Sequence, residues 1–124
     1  MTVSSGTGYY PIPNATTYSS TKAFVNNFTK CLQEENSALD IMLLTPGFTT
    51  TNMIKGLTFL GMADSASNCA SAALRDLGQE KITAGSLKAE LVEELLLNSG
   101  HYWLPTFMSR TLNKYIFGFH SRYF

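Results

Sequence analysis

Leu39-Asp40-Ile41-Met42-Leu43-Leu44-Thr45-Pro46-Gly47 is the stretch that sets the fold class. It is nearly continuous apolar sequence and lacks the alternation of a strand with one wet face. Such a run suits a strand covered on both faces, as in a parallel sheet. Thr45-Pro46-Gly47 then stops it, because proline cannot donate to a ladder and glycine favours a turn.

Working outward, the segment before it reads as a helix. Thr16 or Thr17 can cap it, and it runs to about Glu35. Phe24, Val25, Phe28, Cys31 and Leu32 recur at helical spacing and are expected to pack inward. Tyr18 and Lys22 fall on the neighbouring face with Val25. Gly6 to Asn14 is a loop rich in Gly, Pro and Asn, and Thr2 to Ser5 reads as the end of a strand.

Downstream, Thr49 to Gly61 reads as a loop with one helical turn. Asp64 or Ser65 caps a helix whose inward face is Ala66, Cys69, Ala70, Ala73, Leu74 and Leu77, and Gly78 ends it. Ile82-Thr83-Ala84 is a short strand. Ser86 caps a helix with Leu87, Leu91, Val92, Leu95 and Leu96 inward. Beyond Pro105 a last amphipathic helix carries Phe107, Met108, Leu112, Tyr115, Ile116 and Phe119. Strand, helix, strand, helix, strand and then helices predict an α/β fold with a parallel sheet. Ligands of such sheets bind beyond the carboxyl ends of the strands, which places Ser5, the Pro46-Gly47 turn and the residues after Ala84 at any site.

Composition narrows the function classes. With 124 residues, 44% hydrophobic and 15% charged, the chain suits one domain and is neither disordered nor nucleic-acid-like. All nine acids lie at or before Glu94, whereas Arg110, Lys114 and Arg122 follow it. Residues 101–124 therefore form a basic, aromatic tail that would favour an anionic partner or a membrane surface. An ordinary solvated face competes with that reading. Cys31 and Cys69 are expected to be buried free thiols. His101 and His120 lack metal-ligand spacing, and no apolar run reaches the roughly 18 residues of a membrane span. No secretory signal is visible, so the two glycosylation-type triplets, at Asn14 and Asn27, carry little weight.

Tyr18 and Lys22 stand one helical turn apart on one face. An ammonium beside a phenol favours the phenolate, and a phenol so placed can act as a general acid or base. Alone, the Tyr-x-x-x-Lys spacing is weak.

The wider pattern is specific. Val3-Ser4-Ser5-Gly6-Thr7-Gly8, Pro11-x-Pro13, Tyr18-Ser19-Ser20-Thr21-Lys22-Ala23-Phe24-Val25 and Pro46-Gly47-Phe48-Thr49-Thr50-Thr51 together resemble the second half of a short-chain dehydrogenase/reductase. The nearest type is the 17β-hydroxysteroid dehydrogenase and very-long-chain 3-oxoacyl-CoA reductase group, to which Cys31-Leu32-Gln33-Glu34-Glu35 also points. The resemblance is dense to about residue 55 and faint but collinear through Gly85 and Leu104-Pro105.

What it implies is the C-terminal half of a Rossmann-like, doubly wound parallel sheet with extra C-terminal helices. Ser5 would polarise a substrate carbonyl. Tyr18 would exchange a proton with its oxygen. Lys22 would favour the phenolate and hold the nicotinamide ribose of NADP or NAD. Pro46, Gly47, Phe48 and Thr49 would run along the nicotinamide, and Thr51 would bond near the carboxamide or the phosphates. The substrate would be a hydrophobic 3-oxoacyl-CoA or steroid, and the resemblance implies association with the endoplasmic reticulum membrane; otherwise the chain would be cytoplasmic.

The glycine-rich dinucleotide fingerprint of that family has no counterpart among these 124 residues. Gly6-Thr7-Gly8 follows a strand but opens a loop with two prolines, so it does not suit a phosphate cradle. The chain is thus expected to be a partial domain over residues 1–124, inactive by itself. It would need the other half-sheet from a protein partner or from a longer gene product. The alternative is a non-catalytic relic or a structural subunit of a larger assembly. No nucleic-acid partner is expected.

Overall fold

The computed structural model describes residues 1–10, 12–13, 15–50, 61 and 63–98. Five short strands and three helices follow one another: β1 (Thr2–Val3), α1 (Thr16–Glu35), β2 (Leu43–Leu44), β3 (Thr49–Thr50), β4 (Asp64–Ser65), α2 (Ala66–Asp76), β5 (Ile82–Thr83) and α3 (Leu87–Asn98), with a single 3-10 turn at Gly6–Gly8. The main sheet has the order β1-β2-β5 and both of its pairings are parallel, Thr2 opposite Leu43 and Leu43 opposite Ile82. Within this sheet α1 lies in sequence between β1 and β2 and α2 between β2 and β5, as parallel pairing requires. The fold is α/β, a partial Rossmann-like arrangement. β3 and β4 form a separate parallel pair.

The core lies under β2. Met42, Leu44 and Ala73 form its buried apolar cluster, and Leu43 is fully buried. The β2 strand is shorter than the apolar run that encodes it. The Leu39 N–H bonds to Asn36 O and the Ile41 N–H to Leu39 O, so local turns use the donors before Met42. Leu39 is consequently 63% exposed.

The largest departure from the sequence pattern is the orientation of the helices. α1 buries Ser19, Asn26, Thr29 and Gln33, while Phe24 and Phe28 stack on each other in solvent, 68% and 50% exposed. Cys31 is exposed as well, a free thiol like the buried Cys69. The physical reason is the surface that α1 faces. It is irregular backbone with carbonyls to satisfy, and an apolar stripe would leave them unpaired. Gln33 Nε2 donates to Ile41 O at 2.9 Å and to Lys81 O at 2.7 Å. α1 begins after Ala15 with no side-chain cap, so neither Thr16 nor Thr17 serves as one.

The other helices repeat this in part. Ser65 caps α2 by accepting from the Asn68 N–H, and Cys69 and Ala73 pack inward with Asp76, but Leu74 and Leu77 point outward. Ser86 accepts from the Ala89 N–H at the start of α3. Ala89 is the buried residue there, whereas Leu87, Leu91 and Leu95 are exposed. Gly78 follows α2 with φ +82°, the left-handed conformation that closes a helix without a Cβ penalty. Asp76 secures the return to β5: it accepts from Thr83 Oγ1 at 2.8 Å and pairs with Arg75. The expected last helix and basic tail, residues 101–124, lie outside the described residues.

Candidate active site

The first turns of α1 carry Tyr18 and Lys22. Tyr18 is 45% exposed and Lys22 half-buried, and the Lys22 ammonium lies 5.7 Å from the centre of the Tyr18 ring. That is the cation-to-ring approach expected of a pair one helical turn apart.

Ser5 lies just past the end of β1, buried at 8% exposure. Its hydroxyl oxygen caps the 3-10 turn, accepting from the Thr7 N–H at 3.3 Å and from Thr7 Oγ1 at 3.0 Å. A serine hydroxyl has two lone pairs and one hydrogen. With both lone pairs engaged by Thr7, the hydrogen is left to donate to a ligand.

The serine loop and the Tyr–Lys turn are tied together. Ser4 Oγ donates to Lys22 O at 3.1 Å, and Asn26 Nδ2 donates to Ser5 O at 3.5 Å. Gly8 makes this approach geometrically possible. A Cβ there would fall 2.5 Å from Asn26 Nδ2 and 2.8 Å from the Lys22 carbonyl carbon. The second glycine of Gly6-Thr7-Gly8 is therefore used for helix packing. Ser19 Oγ and Asn26 Oδ1 are buried beside these ties without a partner among the described residues.

Pro46, Gly47, Phe48 and Thr49 follow β2. Gly47 is exposed, the other three are half-buried, and Thr49 Oγ1 donates to Gly47 O at 3.5 Å. Thr51 lies outside the described residues. Ser5, Tyr18, Lys22 and the Pro46 turn thus occupy the carboxyl-end side of a parallel sheet and the helix packed on it, the general location of ligand sites in such folds.

Comparison with known proteins identifies the family. The family model for short chain dehydrogenase matches residues 1–58. Very-long-chain 3-oxoacyl-CoA reductase from Homo sapiens is 30% identical over 100 residues, which is 79% of this chain and 32% of the relative. The 17-beta-hydroxysteroid dehydrogenase type 3 of Homo sapiens is 33% identical over 98 residues, 77% of this chain and 32% of the relative.

The chain belongs to the short-chain dehydrogenase family.

A third relative, very-long-chain 3-oxoacyl-CoA reductase-A from Danio rerio, is 42% identical over 57 residues, 44% of this chain and 18% of the relative. The chain spans between about a fifth and a third of the length of these dehydrogenase relatives. No solved structure matches it.

Short-chain dehydrogenases generally use NAD(P), and the residues present fit one end of such a cofactor. A half-buried amine at Lys22 would suit the ribose, and the exposed backbone at Gly47 would suit the nicotinamide. Among the described residues, no group of three His, Cys, Asp or Glu could hold a metal.

One residue packed against the candidate site is not legible in the sequence. Glu93 of α3 points back at the strand ends, with Oε2 3.4 Å from Thr45 Oγ1 and 3.4 Å from where a Gly6 Cβ would be. Burial raises its carboxyl from the ordinary 4.5 to about 7; the Thr45 hydrogen bond and Lys30 pull it down, and Glu90 and Glu94 push it up. Burial also raises the Tyr10 phenol to about 12, with Glu93 adding to the rise, and it raises Tyr9 for the same two reasons. In sequence, Glu93 reads as one of three acids on a wet helix face. The only local sign of its role is glycine at positions 6 and 47, opposite α3.

Proposed function

We propose that this chain carries the catalytic Tyr–Lys–Ser group of an NAD(P)(H)-dependent oxidoreductase. It acts on the keto or hydroxy group of a 3-oxoacyl thioester or a steroid, together with a nucleotide-binding half that another segment or a partner chain supplies. The observation that carries this reading is the tie between the two site elements. Ser5, whose hydroxyl hydrogen is free to donate, sits on a loop fixed by Ser4 and Asn26 to the turn that bears Tyr18 and Lys22.

In the reductive direction Ser5 donates its hydrogen bond to the substrate carbonyl oxygen and polarises it. Tyr18 delivers a proton to the same oxygen as charge develops there. Lys22 holds positive charge beside the phenol and, by resemblance, bonds the cofactor ribose. Backbone groups from Pro46 to Thr49, and Thr51 beyond them, orient the nicotinamide. When bound, the cofactor supplies the hydride. The names of the relatives support a fatty-acyl or steroid substrate, and membrane association through residues 101–124 belongs to the same proposal.

The test is affinity isolation of the tagged 124-residue chain with whatever binds it. NADPH and NADH oxidation are then assayed with a long-chain 3-oxoacyl-CoA and with a keto-steroid. The expected result is turnover in the isolated assembly, none with the chain alone, and loss with Tyr18→Phe. Turnover that survives Tyr18→Phe overturns the catalytic assignment. A non-catalytic assembly subunit is favoured by one observation, the solvent-exposed Phe24–Phe28 stack. An assembly that forms without turnover would support it.

A further inference from the structure

We propose that α3 is a built-in cover for the candidate active site, latched over the Ser5–Gly6 and Thr45–Gly47 turns by Ala89 and Glu93. Calling the covered surface a catalytic face rests on the function proposed above; the docking itself does not.

Two close approaches define the latch. Ala89 is buried, and a Cβ added to Gly47 would lie 3.2 Å from its Cβ. One turn on, Glu93 Oε2 lies 3.4 Å from where a Gly6 Cβ would be and accepts from the Thr45 hydroxyl at 3.4 Å. Positions 89 and 93 share one face of a helix. That face therefore rests on the ends of both β1 and β2, the surface where the family places nicotinamide and substrate. Glycine at 47 lets the helix come this close, since a Cβ there would crowd Ala89. The remaining apolar side chains of α3 do little to hold it, since Leu87, Leu91 and Leu95 face solvent.

The latch is pH-dependent. Glu93 meets Tyr9 and Tyr10 from the loop after β1, Lys30 from α1, and Glu90 and Glu94 from its own helix. Lys30 is the single cation in that set, and its ammonium also lies over the Tyr9 ring at 5.0 Å. Burial therefore favours the neutral acid while α3 is docked. Once α3 lifts, the carboxyl returns to water and to its ordinary value. Because the docked value is raised, docking is strongest below about pH 4.5. It weakens by up to about tenfold per pH unit as the pH rises to about 7, and is constant above that.

Hydrogen exchange of the full 124-residue chain between pH 4.5 and 8.5, corrected for intrinsic exchange rates, tests this. Protection of residues 87–98 is expected to fall by at least tenfold up to pH 7 and then level off, while α2 stays flat. Glu93→Gln should remove the slope. Ala89→Leu, which crowds Gly47, should lower α3 protection at every pH. A wild-type α3 with pH-independent protection overturns the proposal, as does an unchanged slope in Glu93→Gln or unchanged protection in Ala89→Leu. No nucleotide enters the experiment, so its failure would leave the assignment of Tyr18 standing, and loss of that assignment would leave the latch intact.

Discussion

Ser5 shows how one side chain can serve two purposes. Its lone pairs close the 3-10 turn and its hydrogen remains for a ligand. Tyr18 has no such duty in holding the fold together, since its side chain is 45% exposed. Replacing it with Phe is expected to lower turnover of the active assembly by roughly 10²–10⁴-fold. The melting midpoint of the chain should be unchanged. Gly8 is the opposite case. A methyl there meets the backbone of Lys22 and Ala23, which cannot rotate aside. Gly8→Ala should cost about 1–3 kcal/mol in urea unfolding. Ser5, Tyr18 and Lys22 were legible in the sequence because their spacing belongs to one continuous pattern. Glu93 was not, because its environment is made by Gly6, Thr45, Tyr9 and Lys30, residues between 48 and 87 positions away.

At the level of elements, the strands of the main sheet and its helices were readable from the alternation of apolar runs and breakers, and caps such as Ser65 and Ser86 from side-chain chemistry, whereas the β3–β4 pair falls in stretches that read as loop and cap. Which face of a helix turns inward was not. Hydrophobic periodicity assumes an apolar neighbour, and α1 instead meets the carbonyls of Ile41, Lys81 and Ser5. A pair of substitutions distinguishes the two orientations. Phe28→Ser on the exposed stripe should shift unfolding by no more than about 0.5 kcal/mol. Thr29→Leu, at a fully buried position, should destabilise by about 1–3 kcal/mol through overpacking. If the stripe packed inward, the order would reverse.

For the whole molecule, two carboxyls set opposite pH limits. Asp76 is held below the ordinary carboxylate range, first by the Arg75 hydrogen bond and then by Thr83. Its contribution is therefore present above about pH 3.8 and lost as the pH falls through its lower folded value. Glu93 is raised, so its contribution is lost between about 4.5 and 7 as the pH rises. Together they place maximum stability in weak acid, near pH 4–4.5. That lies below the usual range of about pH 5–8. Thermal melts from pH 3 to 8 should show this maximum, and Glu93→Gln should broaden it toward neutrality. The outward apolar side chains of α1, α2 and α3 are a second whole-molecule property, and exposed apolar surface of this kind favours association. Sedimentation of the chain is expected to show concentration-dependent self-association that Phe24→Ser with Phe28→Ser reduces.

The Gln33 amide has a mechanical meaning. One nitrogen, with two hydrogens, grips the backbone just ahead of β2 and just ahead of β5. Those two strands are thus pinned together at their amino ends by a single pivot atom mounted on the far end of α1. At the other end the Thr45 N–H donates to Thr83 O at 2.9 Å, so the amide clamp and the ladder together fix the spacing of the two strands along their length. A Gln33→Glu chain, with a carboxylate facing two carbonyls, would lose this clamp and leave the ladder alone to hold the two strands.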